Sequence, residues 1–259
     1  MDTTIRSEHS PLQNALLAAL PAADWAHVGN QFEQVFLPFG RVLFEPDEEV
    51  RHMYFPVDAL IALVCPLANG AADEISLVGR EGVVGVASFM GGGSTPRRAV
   101  VACAGHAYRL SRQVVHDEFL VHGEFMRVLL AYVLSLVNQV AQTAMCNRCH
   151  SVEQRLCRWL LLCLDRMPGR QFELTHGLLA QMLGVRRESV SAAAAELRAC
   201  AAIDYTRGHL TVLDRARLEA RVCECYPGAK KTADGLLHPR PRQLQPIRER
   251  LAVVADTRD

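Results

Sequence analysis

The 259-residue sequence carries no net charge, because 28 Lys and Arg residues are matched by 28 Asp and Glu. It also lacks a Gly-rich phosphate loop, a nucleophile elbow, a zinc-protease helix and any pair of carboxylates in a recognisable frame, so the common enzyme signatures are excluded. The first ten residues contain no basic segment followed by an apolar one, and the expectation is a cytoplasmic chain. Long apolar runs are missing too. The most apolar stretch, 128–137, falls short of the roughly 20 residues that span a bilayer and is followed directly by Asn138, Gln139, Gln142 and Thr143. No transmembrane helix is expected. Nine cysteines in such a chain read as reduced thiols that pack as small hydrophobes, not as a disulfide framework.

What is present is ordinary for a globular protein, with 50% hydrophobic and 22% charged residues. The length exceeds one typical domain, so two compact units and a connector are expected. Cutting the chain makes the charge informative. Residues 1–122 hold 8 Lys and Arg against 14 Asp and Glu, a balance of −6, which leaves 20 against 14, or +6, for 123–259. An acidic module is joined to a basic one, and phosphate contacts need clustered cations.

Residues 11–29 read as a short helix pair broken at Pro21, with Asp24 as N-cap of the second helix. From 34 to 110 the pattern becomes short β-branched and aromatic runs at 35–37, 42–44, 50–55, 60–66, 74–78, 99–103 and 107–110, separated by turn signals. Asn69-Gly70 is the strongest of these signals, since a type I′ turn needs positive φ at both central residues. Such spacing predicts a sandwich or barrel. The period then switches to helical: 112–121, then a longer helix over 124–147 that is apolar nearly all round. A helix of that kind buries two faces, one on the barrel and one along Leu129, Val133, Leu136 and Val140 with coiled-coil spacing. Ser151 and Gln154 form a capping box that starts a helix reaching about Arg166, with Leu156, Trp159, Leu160 and Cys163 on one face. The proline-containing tail over 227–259 reads as disordered.

The decisive segment runs from Leu174 to Leu197. Thr175 caps a helix that ends before Gly184; Ala180, Gly184 and Val190 provide the small residue, the positive-φ turn and the buried anchor that two tightly crossed helices require. The second helix presents Arg186, Arg187, Glu188, Ser189 and Ser191 at its N-terminal end, where an Arg can bond bidentately to guanine and a carboxylate can accept from cytosine. Downstream, 203–212 reads as a hairpin turning at Arg207-Gly208, a wing that lays Arg207 or His209 on phosphate.

With these motifs in place, residues 151–213 resemble the DNA-binding domain of the Crp/Fnr family, Arg187 and Glu188 matching the Arg-Glu pair its members use on bases. Ala192 stands where cyclic-AMP-responsive members carry a further base-reading Arg, so the preferred sequence should differ. The resemblance implies an α+β chain. It would have an N-terminal cyclic-nucleotide-binding-like jelly-roll β-barrel sensor over 11–122 and a dimerisation helix over 123–150, followed by a winged helix-turn-helix over 151–226. It further implies a homodimer on double-stranded DNA with a near-palindromic site, RNA polymerase as partner, and no membrane. In the sensor, Gly85, Arg97 and Arg98 are the candidate effector-binding residues. Gly85 is followed by Val86 instead of the ribose-binding Glu, which points away from cyclic AMP. No Cys precedes Cys65, so the N-terminal iron-sulfur cluster of the oxygen-sensing members does not carry over.

Cys146-Asn147-Arg148-Cys149-His150 matches the c-type haem attachment pattern, but attachment takes place in exported proteins, and haem is not expected. Cys146 and Cys149, three apart on a helix, are the candidates for a thiol metal or redox site, with Cys223-Glu224-Cys225 a second one; the expected state of both is reduced thiol with no metal. The competing reading of the whole chain is a ligand- or metal/redox-binding sensor module without specific DNA binding.

Overall fold

The computed structural model describes residues 9–66, 72–121 and 123–229. The predicted Asn69-Gly70 turn and residues 230–259 of the predicted disordered tail lie outside the described residues.

Two short helices, α1 (Ala15–Ala18) and α2 (Ala22–Val28), open the chain. The Asn14 side chain caps α1 through the backbone N–H groups of Leu16 and Leu17. Its amide then donates to the Pro56 and Gly82 carbonyls, which ties the helix pair to the body. Asp24 is not the expected N-cap. That position is Pro21, and Asp24 instead accepts from the Phe125 N–H at 2.9 Å, capping the long helix 101 residues downstream.

Seven strands follow: β1 (Glu33–Leu37), β2 (Val42–Phe44), β3 (His52–Pro56), β4 (Leu60–Pro66), β5 (Ala72–Val78), β6 (Arg98–Cys103) and β7 (Gly105–Ser111). They make two antiparallel sheets, in the orders β1-β7-β3 and β2-β6-β4-β5. Leu37, Met53, Phe55, Ile61, Val101 and Leu110 from both sheets fill the space between them as one core. The result is a jelly-roll-like body of facing sheets, as expected from the run-and-turn pattern. β4 alternates sides. Ile61 and Leu63 face this core, whereas Leu60, Ala62 and Val64 belong to a second core on the sheet's outer face. A strand buried on both faces needs an uninterrupted apolar run, and residues 60–64 supply it.

Helix α3 (Arg112–Val121) leads to α4 (Glu124–Cys149), 26 residues long. Phe125, Leu129, Tyr132 and Leu136 pack into the inner core of the roll. The Tyr132 ring occupies the space where a Cβ on Gly82 would stand, 2.6 Å from its ring and hydroxyl atoms. The expected free seam is corrected here: Leu129 and Leu136 face the roll, and the outward apolar stripe is Leu130, Leu134, Val137 and Met145, exposed by 44 to 64%. By length and composition α4 would suit a bilayer, contrary to the short span read from 128–137, with mean hydropathy 1.4 in its most apolar window. Phe125, Leu129, Tyr132 and Leu136 account for part of that apolarity through their packing against the roll.

The remaining elements are α5 (Val152–Arg166), β8 (Gln171–Glu173), α6 (His176–Leu183), α7 (Arg187–Ala199), β9 (Ile203–Thr206), β10 (His209–Val212) and α8 (Arg215–Glu219). The three strands form a small antiparallel sheet, β8-β10-β9. Both halves of the Ser151–Gln154 capping box are formed. Helix α5 is buried over more than the predicted face: Arg155, Cys157, Arg158, Leu161, Leu162 and Arg166 join the four expected residues. The reason is its position between the outer face of β4 and β6 and the helices α7 and α8, all sharing one apolar core. Polar ties cross the same junction. Arg166 Nε meets Glu81 at 2.8 Å, Arg80 donates to the Asp165 carbonyl, and Trp159 Nε1 donates to the buried Glu74 carboxyl at 3.2 Å.

Candidate nucleic-acid interface

Helices α6 and α7 form the predicted pair. Thr175 Oγ1 accepts from the Leu178 N–H at the start of α6, and Gly184 closes it in the left-handed conformation at φ 58° and ψ 43°. Its N–H reaches back to the Ala180 and Gln181 carbonyls. Ala180 and Val190 are buried beside Leu179, Leu183, Ala194 and Leu197, so the crossing is sealed by small and branched apolar groups.

The first turn of α7 is exposed at Arg186, Arg187 and Glu188, while Ser189 is half-buried. Arg186 occupies the N-cap position and no side chain caps the helix, unlike α5, α6 and α8, which are capped by Ser151, Thr175 and Asp214. Donors of the first turn therefore remain available to an anionic oxygen, and the helix dipole favours one there. Ser191 points the other way: its hydroxyl lies 2.9 Å from His176 Nδ1 and 3.0 Å from the Arg187 carbonyl. His176 in turn stacks on Tyr205 with ring centroids 4.3 Å apart, and the Tyr205 hydroxyl donates to the Leu174 carbonyl at 2.7 Å. Burial, then the nearby Arg187 charge, lowers the His176 pKa; the Ser191 hydroxyl proton goes to the Arg187 carbonyl, which leaves Ser191 Oγ to accept from His176 Nδ1. This Ser191-His176-Tyr205 chain locks the orientation of α7 against α6 and the wing. The sequence shows its members but no signal that they meet.

The wing turns where expected. Arg207 at φ 50° and Gly208 at φ 87° join β9 to β10 with the two positive-φ residues of a type I′ hairpin. Arg207 and His209 are both exposed at its tip.

The residues proposed for the sensor are placed less pointedly. Gly85 adopts φ 102°, and a Cβ there would stand 2.6 Å from the His52 carbonyl oxygen, so glycine serves the close approach to β3. Arg98 pairs with Glu45 at 2.7 Å across β2 and β6, and Arg97 is half-buried just before β6. Among the cysteines, Cys149 is exposed, whereas Cys146 is fully buried and meets Cys223, Cys225 and His150.

Residues 154–221 match the Crp-like helix-turn-helix domain family. This part of the chain is similar to a Crp-like helix-turn-helix domain. The fold extends that likeness over most of the described chain. A transcriptional regulator of the Crp/Fnr family from Eubacterium rectale superposes with a TM-score of 0.63 at 13% identity, covering 83% of this chain and 98% of its own. FixK2 from Bradyrhizobium japonicum gives 0.60 at 16% identity, covering 74% and 98%. The c-di-GMP-responsive global regulator CLP of Xanthomonas campestris gives 0.59 at 13% identity, covering 74% and 99%. No curated protein matches by sequence. The chain thus has the fold of these structures.

Proposed function

We propose that the chain is a homodimeric, cytoplasmic, sequence-specific DNA-binding regulator in which the roll over 11–122 senses a signal, the helix over 123–150 dimerises and the unit over 151–226 reads DNA. The observation that carries this is the uncapped, exposed first turn of α7, with Arg186, Arg187 and Glu188 presented together on a Crp-like helix-turn-helix. Arg187 and Glu188 read base edges in the major groove, while Arg186, Ser189 and the free backbone donors hold phosphate. Ser191 supports from behind through His176, and Arg207 and His209 on the wing track the neighbouring phosphates.

A second copy of this chain covers the outward stripe Leu130, Leu134, Val137 and Met145. The steps of four and three from Leu130 through Leu134 to Val137 are those of a self-complementary seam, and pairing there would place two recognition helices on half-sites about one helical turn apart. Gly85, Arg97 and Arg98 mark the candidate effector region of the roll, and RNA polymerase is the expected partner of the bound dimer.

The test is selection of genomic DNA fragments by the purified chain, followed by binding of the enriched site to Arg187→Glu. Enrichment of one near-palindromic sequence is expected, with binding lost on charge reversal and the melting temperature unchanged because Arg187 is exposed. Enrichment that survives Arg187→Glu would overturn the assigned recognition helix.

A further inference from the structure

A third, small core sits where α4 ends. Its buried members are Cys146, Cys223 and Cys225, all cysteine, with Val222 packed beside them. His150, the residue that terminates α4, completes the group, and the four donor atoms lie within 4.8 Å of one another. Cys146 and His150 are one helical turn apart; Cys223 and Cys225 flank a single residue some 75 positions later, just beyond α8. Purely apolar packing at such a junction would be served as well by Val or Leu. Three thiols and an imidazole converging from two distant segments is the donor set of a closed metal site.

The distances agree with that chemistry. Cys146 Sγ and Cys223 Sγ are 3.7 Å apart, and Cys225 Sγ is 3.6 Å from His150 Nδ1. Ligand bonds of about 2.3 Å to sulfur and about 2.0–2.1 Å to nitrogen give tetrahedral edges of about 3.8 Å between two sulfurs and about 3.6 Å between sulfur and nitrogen. A disulfide would need about 2.05 Å between the sulfurs.

The surroundings are arranged for the same purpose. Glu224, between the two later cysteines, accepts from His150 Nε2 at 3.2 Å, a contact that puts the ring proton on Nε2 and leaves the Nδ1 lone pair directed at the sulfurs. Gln142 Nε2 donates to Cys225 Sγ at 2.9 Å. The buried Arg158 guanidinium, which donates to Thr143 Oγ1 at 3.0 Å, supplies a positive charge beside the cluster. A divalent ion with three thiolates carries one negative charge, and Arg158 balances it.

The geometry points to a structural zinc-class site formed by Cys146, His150, Cys223 and Cys225, with Glu224 as the residue that positions His150. Binding there staples the last turn of α4 to the end of the helix-turn-helix domain and fixes the angle at the His150-Ser151 junction. The site does not depend on the DNA-binding reading.

Cobalt titration of the reduced, metal-stripped full chain tests it. One equivalent per chain should develop the visible bands of tetrahedral cobalt and a thiolate charge-transfer band, and zinc should displace both. Cys149→Ser should leave the spectrum intact and Cys223→Ser should abolish it. Glu224→Gln, at a side chain 83% exposed and so without cost to folding, should weaken cobalt binding by roughly 10- to 100-fold. Absence of the tetrahedral bands, their persistence in Cys223→Ser, or unchanged affinity in Glu224→Gln would each overturn the assignment.

Discussion

At Glu74, burial pushes the carboxyl pKa from 4.5 up to about 7, against the lesser opposing effects of the Trp159 hydrogen bond and the Arg166 and Arg158 charges. An acid with a raised folded pKa is held protonated by the fold. Its contribution is therefore fully favourable below the unfolded value of 4.5 and is lost as pH rises towards about 7. Glu74→Gln keeps an acceptor for Trp159 Nε1 without a charge to bury. It should raise stability by about 1–3 kcal/mol near pH 8 and by little near pH 5, which urea unfolding at the two pH values would show. Stability that falls equally at both would mean that the carboxylate is needed there in its charged form. Gly85 sets the opposite kind of constraint. Alanine at φ 102°, against a carbonyl at 2.6 Å, should cost roughly 1–3 kcal/mol, read as a lower midpoint in the same assay.

Among the elements, the Ser151 and Thr175 caps and the Arg207-Gly208 turn were legible because they act over three or four residues, whereas Asp24, expected to cap its own helix, serves one 101 residues away. Thr175→Ala should cost about 1 kcal/mol through loss of the Leu178 N–H acceptor, measured by chemical denaturation. β2 and β4 were readable to the residue, since a run of apolar side chains between turn signals has one interpretation. Helix α4 was not. On a helix apolar all round, periodicity cannot tell which face meets the roll, and the choice rests on Tyr132 finding the gap at Gly82, a contact 50 residues away. The outward apolar stripe is therefore not Leu129 and Leu136 but Leu130, Leu134 and Val137, and the proposed seam moves with it. The His176 lock and the four-donor cluster were hidden for the same reason: each joins segments that only the fold makes neighbours. Leu134→Glu with Val137→Glu, both more than half exposed, should leave secondary structure intact and turn the dimer into monomer in sedimentation velocity. An unchanged sedimentation coefficient would overturn the proposed seam.

For the molecule as a whole, the charge splits as −6 over 1–122 and +6 over 123–259, which fits the phosphate attraction proposed for the C-terminal half. Operator affinity should fall steeply with salt, whereas dimer association through an apolar seam should not. The core on the outer face of β4 and β6 runs without a break into α5, α7 and the wing sheet, so it belongs to both halves at once. Arg166 stitches the same boundary from a buried position, opposite Glu81. Such a molecule has no slack coupling between the part that receives and the part that grips. Heated in a calorimeter, it should give one endotherm whose van't Hoff and calorimetric enthalpies agree, where two independent beads would give two. If the roll senses a signal as proposed, that signal has to turn the whole body as a lever, because the shared core offers it no joint at which to be absorbed.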